Sequence, residues 1–369
     1  MIPVNSPLLL GNEKQYLLEC LESGWISSEG PFVQQFEEQF SAKVERKFGI
    51  AVSSGTAALD VAVEALGIQK GDEVILPTFT IISCVHQIVR SGAIPVLVDS
   101  DKVTWNMDIS QIECKITERT KAIMAVHIYG LPVNMDPLLE ICEKYGLQLI
   151  EDAAEMIGQT YHEKPCGSFG EISTFSFYPN KHITTGEGGM IVTDSKELAE
   201  KCRSLRNLCF QKKQRFVHEQ LGWNYRITNL QAALGLAQME RLDESIARKR
   251  EIGRCYTELL SEVHGFQLPY DSVDFAKNIY WVYGMVLKNK IRFDANIAMN
   301  RLAENKIGTR PFFWPLHEQP ILRKMGFFKN QSYPVAENLA RRGFYLPSGL
   351  SLENDQIEEV VRIIKEKLR

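Results

Sequence analysis

Short runs rich in β-branched residues alternate with segments of helical periodicity, and this alternation constrains the fold more than any other feature. The runs are Gly49-Ile50-Ala51-Val52, Glu73-Val74-Ile75-Leu76, Pro95-Val96-Leu97-Val98, Ala122-Ile123-Met124-Ala125-Val126 and Leu147-Gln148-Leu149-Ile150. Strands of this length separated by amphipathic helices predict an α/β protein with a parallel sheet and crossover helices. Two further runs, Ser173-Thr174-Phe175-Ser176-Phe177 and Gly189-Met190-Ile191-Val192-Thr193, break the alternation and predict an antiparallel strand. From about Thr228 to Leu260 the pattern reads as one continuous helix, with Leu230, Ala233, Leu234, Leu236, Met239 and Leu242 on an apolar stripe. That helix is expected to link a large domain over residues 1–245 to a smaller α+β domain over residues 246–369.

At 369 residues the chain exceeds one usual core. Hydrophobic content of 44%, charged content of 24% and a net charge of -4 are those of an ordinary soluble globular protein. No basic run has the density of a nucleic-acid reader, and Lys212-Lys213 with Arg215 reads as a loop or a small anionic site. The opening Met1-Ile2-Pro3-Val4-Asn5-Ser6-Pro7 lacks the regions of a secretory signal, and no apolar run reaches spanning length. The expectation is a cytoplasmic protein without a membrane or nucleic-acid partner. Eight cysteines form no CxxC pair and seven histidines show no ligand spacing, so reduced structural thiols and no metal are expected.

The richest local signal is Phe175-Ser176-Phe177-Tyr178-Pro179-Asn180-Lys181, an apolar strand that delivers a lysine ahead of Gly186-Glu187-Gly188-Gly189. Held against buried surface, such an amine loses proton affinity, and its lone pair is freed to attack a carbonyl. Lys181 therefore reads as a Schiff-base lysine for pyridoxal phosphate; the plainer alternative is a solvated lysine at a strand end.

Two distant segments favour the first reading. Ser53-Ser54-Gly55-Thr56-Ala57-Ala58-Leu59, between a strand and an alanine-rich helix, can cup a phosphate with free helix-start N–H groups and a threonine hydroxyl. A plain helix N-cap is the alternative. Ile150-Glu151-Asp152-Ala153-Ala154-Glu155 brings acids to a strand end. A carboxylate at Asp152 can pair with a pyridine nitrogen and keep it protonated, which makes the ring an electron sink. If the next turn is helical, Glu155 faces the same side, near the ring's phenolic oxygen. Acids suited to a helix's first turn are the simpler explanation of Glu155.

In this order, these segments resemble the DegT/DnrJ/EryC1/StrS family of sugar aminotransferases, and the resemblance covers nearly the whole chain. It includes Gly24-Trp25-Ile26-Ser27-Ser28-Glu29-Gly30, Leu76-Pro77-Thr78-Phe79-Thr80, Val126-His127-Ile128-Tyr129-Gly130, Gly222-Trp223-Asn224-Tyr225-Arg226, Thr309-Arg310-Pro311, Pro315-Leu316-His317 and Leu346-Pro347-Ser348. The family implies a type I, aspartate aminotransferase-like, pyridoxal phosphate-dependent fold with a mostly parallel seven-stranded sheet and a smaller C-terminal domain. It also implies a homodimer with shared active sites, L-glutamate as amino donor and a pyridoxamine phosphate form of the cofactor.

Position by position, the resemblance implies that Lys181 bonds the cofactor, Asp152 holds its ring nitrogen, and Gly55, Thr56 and Ser176 hold its phosphate. Asn224 would reach the same phosphate from the neighbouring subunit. Relatives that act as sugar dehydratases carry histidine in place of this lysine, whereas here the histidine stands next door, at His182. Ile81 departs from the pattern. Many relatives have an aromatic residue there that stacks on the ring, and an aliphatic side chain packs without the offset-stacking contribution.

The run from Asn180 to Met190, with Trp25-Ile26-Ser27-Ser28, is most similar to members that act on the 4-keto carbon of GDP-4-keto-6-deoxymannose, in cell-surface polysaccharide (O-antigen, lipopolysaccharide) biosynthesis. UDP- and dTDP-linked 4-keto or 3-keto sugars are the alternatives. Candidate substrate contacts are Arg215 and His218 in the polar loop from Cys209 to Gly222, and Arg310 and His317 in the small domain. Arginine's planar fork suits a diphosphate, while surface ion pairs or a packed histidine would explain the same residues. A deoxygenating dehydratase and a non-catalytic, cofactor-sensing regulator are the competing functions, and the intact Lys181 argues against both.

Overall fold

Strands buried on both faces need apolar residues at nearly every position, and seven runs rich in β-branched residues meet that need in one sheet. In a computed structural model describing residues 1–211 and 213–368, they are β1 (Phe48–Val52), β2 (Glu73–Pro77), β3 (Ile94–Val98), β4 (Thr120–Val126), β5 (Gln148–Asp152), β6 (Ile172–Ser176) and β7 (Gly189–Thr193). Their spatial order is β1-β7-β6-β5-β4-β2-β3. All neighbours from β6 to β3 pair in parallel. The expected antiparallel strand is β7, which runs against both β6 and β1.

Val74, Leu76, Met124, Ile150 and Ile191 lie on one side, in a cluster with residues of the helices Gly55–Ala65 and Ser83–Arg90. Ile75, Ile123, Leu149, Met190 and Val192 face the opposite side, in a cluster that includes Phe36 and Phe40 of the helix Pro31–Lys43 and Leu138 and Cys142 of the helix Met135–Tyr145. Full burial of such side chains contributes about 1.5–3 kcal/mol each, so these two layers fix which ends of the strands meet the site.

A second, antiparallel sheet joins Phe266–Gln267, Tyr283–Leu287, Gly343–Leu346 and Arg310–Pro311. It has a core of its own, including Tyr256, Met285, Leu302, Phe344, Val360 and Ile364. The helix expected to be continuous from Thr228 is two helices, Asn229–Met239 and Leu242–Leu260. A Thr228–Gln231 capping box starts the first, and Asp243 with Glu244 in the first turn suits the dipole of the second. Between them the Glu240 carboxylate accepts from Asn12 Nδ2 at 2.7 Å and the Tyr16 hydroxyl at 2.5 Å, while Arg241 leaves helical geometry at φ -115° and ψ 18°.

The first residues bond to loops of both halves of the chain. Ile2 N–H donates to the Lys306 carbonyl and the Ile2 carbonyl accepts from Gly308 N–H, both at 2.8 Å. The Val4 carbonyl accepts from Ser348 N–H at 3.1 Å, and Asn5 Nδ2 donates to the Pro179 carbonyl at 2.9 Å. Among the described residues no helix is long and apolar enough to cross a membrane.

Candidate active site

The carboxyl ends of β5 and β6 and the start of the helix Gly55–Ala65 open onto one cavity of about 350 Å³, the place where open α/β sheets gather ligands. Its floor begins with Ser54, an extended N-cap whose hydroxyl accepts from Ala57 N–H at 3.1 Å. The Gly55 and Thr56 amides that follow are first-turn donors, which have no acceptor within a helix. Ser176, at the end of β6, closes the cup, and a Cβ on Gly55 would lie 2.8 Å from the Ser176 Cβ. Gly189 makes this approach possible: it pairs with Ser176 and Val52 in the sheet, and a side chain there would strike the Ser54 carbonyl. The Thr56 and Ser83 hydroxyls complete the rim, 2.8 Å apart.

Asp152 ends β5, buried, with Oδ1 accepting from Ala154 N–H at 3.0 Å and Oδ2 from the Cys84 thiol at 3.3 Å. Burial pushes its carboxyl up, opposed by those two donors and by Lys181. Glu155 lines the same cavity through a different geometry from the expected helical turn. Residues 153–158 form no α-helix, and its carboxylate accepts from Tyr129 N–H at 2.7 Å. Burial raises Glu155 to about 8 against the pull of Lys181 and that N–H. Lys181 lies at the cavity wall, its amine lowered by burial and partly restored by Glu155 and Asp152. Behind them the Glu151 carboxylate accepts from His127 Nε2, Gly167 N–H, Phe169 N–H and the Ser173 hydroxyl at 2.6–3.1 Å, which anchors the end of β5.

The structure thus brings together Gly55, Thr56, Ile81, Asp152, Glu155, Ser176 and Lys181. Ile81 stands at the mouth, 46% exposed. Asn224 is exposed and lies outside this cavity. Arg215, over the Phe210 ring at 5.2 Å, lines a separate groove with Arg203, Arg206 and Arg226. His218 is exposed and donates to the Leu208 carbonyl at 2.8 Å, and Lys212 lies outside the described residues. Arg310 is the exposed cross-strand neighbour of Tyr345, which lines the cavity. His317 is different: it is buried, with Nδ1 2.8 Å from the Thr78 hydroxyl and Nε2 3.1 Å from Glu337 Oε1. Both ring nitrogens are spent on packing the fold, so it offers a ligand nothing.

Sequence reasoning missed the far wall, formed by Trp281, Phe313 and Tyr345 of the second half of the chain. The only advance signal, for Trp281 alone, was the aromatic-rich segment Tyr280-Trp281-Val282-Tyr283, with no polar motif beside it. At this wall and floor, the Trp281 indole nitrogen, Thr174 hydroxyl and Asn180 side-chain oxygen are buried without a partner among the described residues. A flat heteroaromatic ligand carrying an anionic group fits that lining: donors at the cup, a buried carboxylate, an amine and unclaimed polar atoms.

Comparisons with known proteins agree with the geometry. The family described as the DegT/DnrJ/EryC1/StrS aminotransferase family matches residues 9–365. GDP-perosamine synthase of Escherichia coli O157:H7 is 44% identical over 366 residues, covering 99% of this chain and 98% of that protein. GDP-perosamine synthase of Vibrio cholerae is 40% identical with the same coverage. Among solved structures, a putative sugar aminotransferase, Spr1654 of Streptococcus pneumoniae, in its PMP form superposes with a TM-score of 0.92 at 25% identity, over 99% of this chain and 97% of that one.

Proposed function

The chain belongs to the DegT/DnrJ/EryC1/StrS aminotransferase family, and on that footing we propose that it moves the amino group of L-glutamate to C4 of GDP-4-keto-6-deoxymannose, giving GDP-perosamine. The observation that carries this reading is the joining of Gly55, Thr56, Asp152, Ser176 and Lys181 around one cavity in a chain 44% identical to a GDP-perosamine synthase. Pyridoxal phosphate, when bound, supplies the aldehyde that carries the amino group and a ring that accepts electron density.

The chain's residues do the rest. The Gly55 and Thr56 amides and the Thr56 and Ser176 hydroxyls bind the phosphate, aided by the positive end of the helix. Asp152, held by Ala154 N–H and the Cys84 thiol, keeps a proton on the ring nitrogen. A buried carboxylate is costly alone, and pairing with a cationic ring offsets that cost. Lys181 takes the proton from the glutamate α-carbon as general base, and on the return half delivers one to the sugar carbon that becomes C–N bonded. Its lowered proton affinity, caused by burial, leaves more of the amine in the basic form near neutral pH. Asn224, exposed and outside the cavity of its own chain, is left free for the role this reading gives it, reaching the phosphate in a second copy's site of a homodimer.

Glutamate and a panel of GDP-, UDP- and dTDP-linked keto sugars, followed by mass spectrometry and NMR, test the reading. A glutamate-dependent amine at C4 of the GDP sugar is expected. Preference for a UDP or dTDP sugar would move the substrate assignment. Release of ammonia with a deoxy sugar, or no transfer at all, would refute amino transfer.

A further inference from the structure

Lys249 is 1% exposed in the helix Leu242–Leu260. So deeply buried a lysine is ordinarily paired with an acid. Here the amine donates instead to two backbone carbonyls, Trp281 O at 2.9 Å and Ser348 O at 2.6 Å. Burial, and after it the charge of Lys181, hold this amine down at about 7. A neutral amine has two N–H bonds, which is the number these carbonyls use.

The first of those carbonyls belongs to the cavity wall. The Lys181 nitrogen stands 3.8 Å from the centre of the Trp281 ring. Phe313 stacks near the indole with 16° between planes, and the Tyr129 ring is 5.7 Å away. On the neighbouring strand of chain, His182 Nε2 donates to the Ile279 carbonyl at 3.3 Å. Trp281 is therefore gripped through its backbone by Lys249 and meets Lys181 with its ring.

We propose that the Trp281 indole, fixed by Lys249, is the surface on which the Lys181 amine rests whenever it is not bonded to the cofactor, and that both are positioning residues for amino transfer. The proposal rests on the reading of Lys181 given above. An indole face attracts an ammonium, so this contact returns to Lys181 some of the proton affinity that burial removes. Asp152, Glu155 and Cys84 also favour the cation, while Lys249 and His182, if charged, would oppose it. Trp281→Leu keeps those charged groups in place but also thins the wall that buries the amine, which by itself would raise the midpoint, so a fall below wild type reports the attraction of the indole.

The test is the rate at which cofactor-free protein gains its visible absorption band after mixing with pyridoxal phosphate, measured across a pH series. Only the neutral amine attacks, so the midpoint of that profile reports the proton affinity of free Lys181. For Trp281→Leu the midpoint is expected roughly one pH unit below wild type. Lys249→Met should shift in the same direction by no more, and the double variant should add nothing to Trp281→Leu. An unmoved midpoint in Trp281→Leu overturns the proposal. So does an upward shift in Lys249→Met, the signature of a lost repelling charge. Should Lys249→Met not fold, Lys249→Gln keeps one amide donor and is expected between wild type and Trp281→Leu; a midpoint at or above wild type overturns the role of Lys249. A wild-type protein that forms no band at all defeats the reading of Lys181 itself, a different failure.

Discussion

Replacing Gly55 with alanine tests the phosphate cup with one methyl group. The added carbon would lie 2.8 Å from the Ser176 Cβ and 3.1 Å from its hydroxyl. Carbon atoms pack at about 3.5–4.0 Å, so one wall must retreat by about 0.7 Å or more. Ser176 has little freedom, because it pairs with Gly189 in the sheet, and Gly189 is itself pressed against the Ser54 carbonyl. The helix start must therefore move outward, carrying the donor N–H groups off their aim. Returning the displaced cup to its phosphate-binding geometry restores the overpacking, at about 1–3 kcal/mol, and if binding requires that return the cofactor is held about 5- to 150-fold more weakly. Equilibrium titration of the cofactor-free variant with pyridoxal phosphate, read at the visible band, measures it. A melting curve serves as the folding control. Affinity within twofold of wild type in a folded variant would refute the placement of the phosphate against Gly55.

Two further outcomes follow from the same geometry. Lys181→Ala should fold and lose both the visible band and turnover, and Asn224→Ala should lose cofactor retention; mixing the two variants should recover activity above either alone, because a mixed dimer holds one site with both residues intact. No recovery after verified subunit exchange would place Asn224 outside the shared site. Glu155 gives a pH signature. Its carboxyl is raised from 4.5 to about 8 in the fold, so the protonated acid stabilises the folded state fully below pH 4.5 and that contribution is lost as pH rises through 8. With a limiting slope of about 1.4 kcal/mol per pH unit, the melting temperature of the cofactor-free protein should fall between pH 5 and 8, and more gently in Glu155→Gln. Parallel curves for the two proteins would mean that Glu155 is ionised in the fold.

The sheet was legible because its strands are buried on both faces, which leaves unbroken apolar runs such as Ala122 to Val126. Lys181, Asp152 and the Gly55 cup were legible for a related reason: each is polar chemistry placed at a strand end, where the pattern changes abruptly. The aromatic wall was not, because Trp281, Phe313 and Tyr345 look like core residues and only tertiary packing turns them toward Lys181. His317 shows the converse. A histidine between Leu316 and Glu318 carries no local sign that Thr78, far away in sequence, and Glu337, on a later helix, will occupy both its nitrogens. The break at Glu240 likewise depends on Asn12 and Tyr16, partners that periodicity within the helix does not reveal.

The way residues 2–5 are seamed into the fold bears on how the protein is handled. On one side they are sewn to Lys306, Gly308 and Ser348, and on the other to Pro179, two positions before Lys181. A bulky fusion partner abutting Met1 therefore pulls on the loop carrying Lys181 as well as on the small sheet, and a protease that trims the first five residues releases both. A clipped preparation that sheds its cofactor would have a slack loop at Pro179, with every residue of the cavity still present.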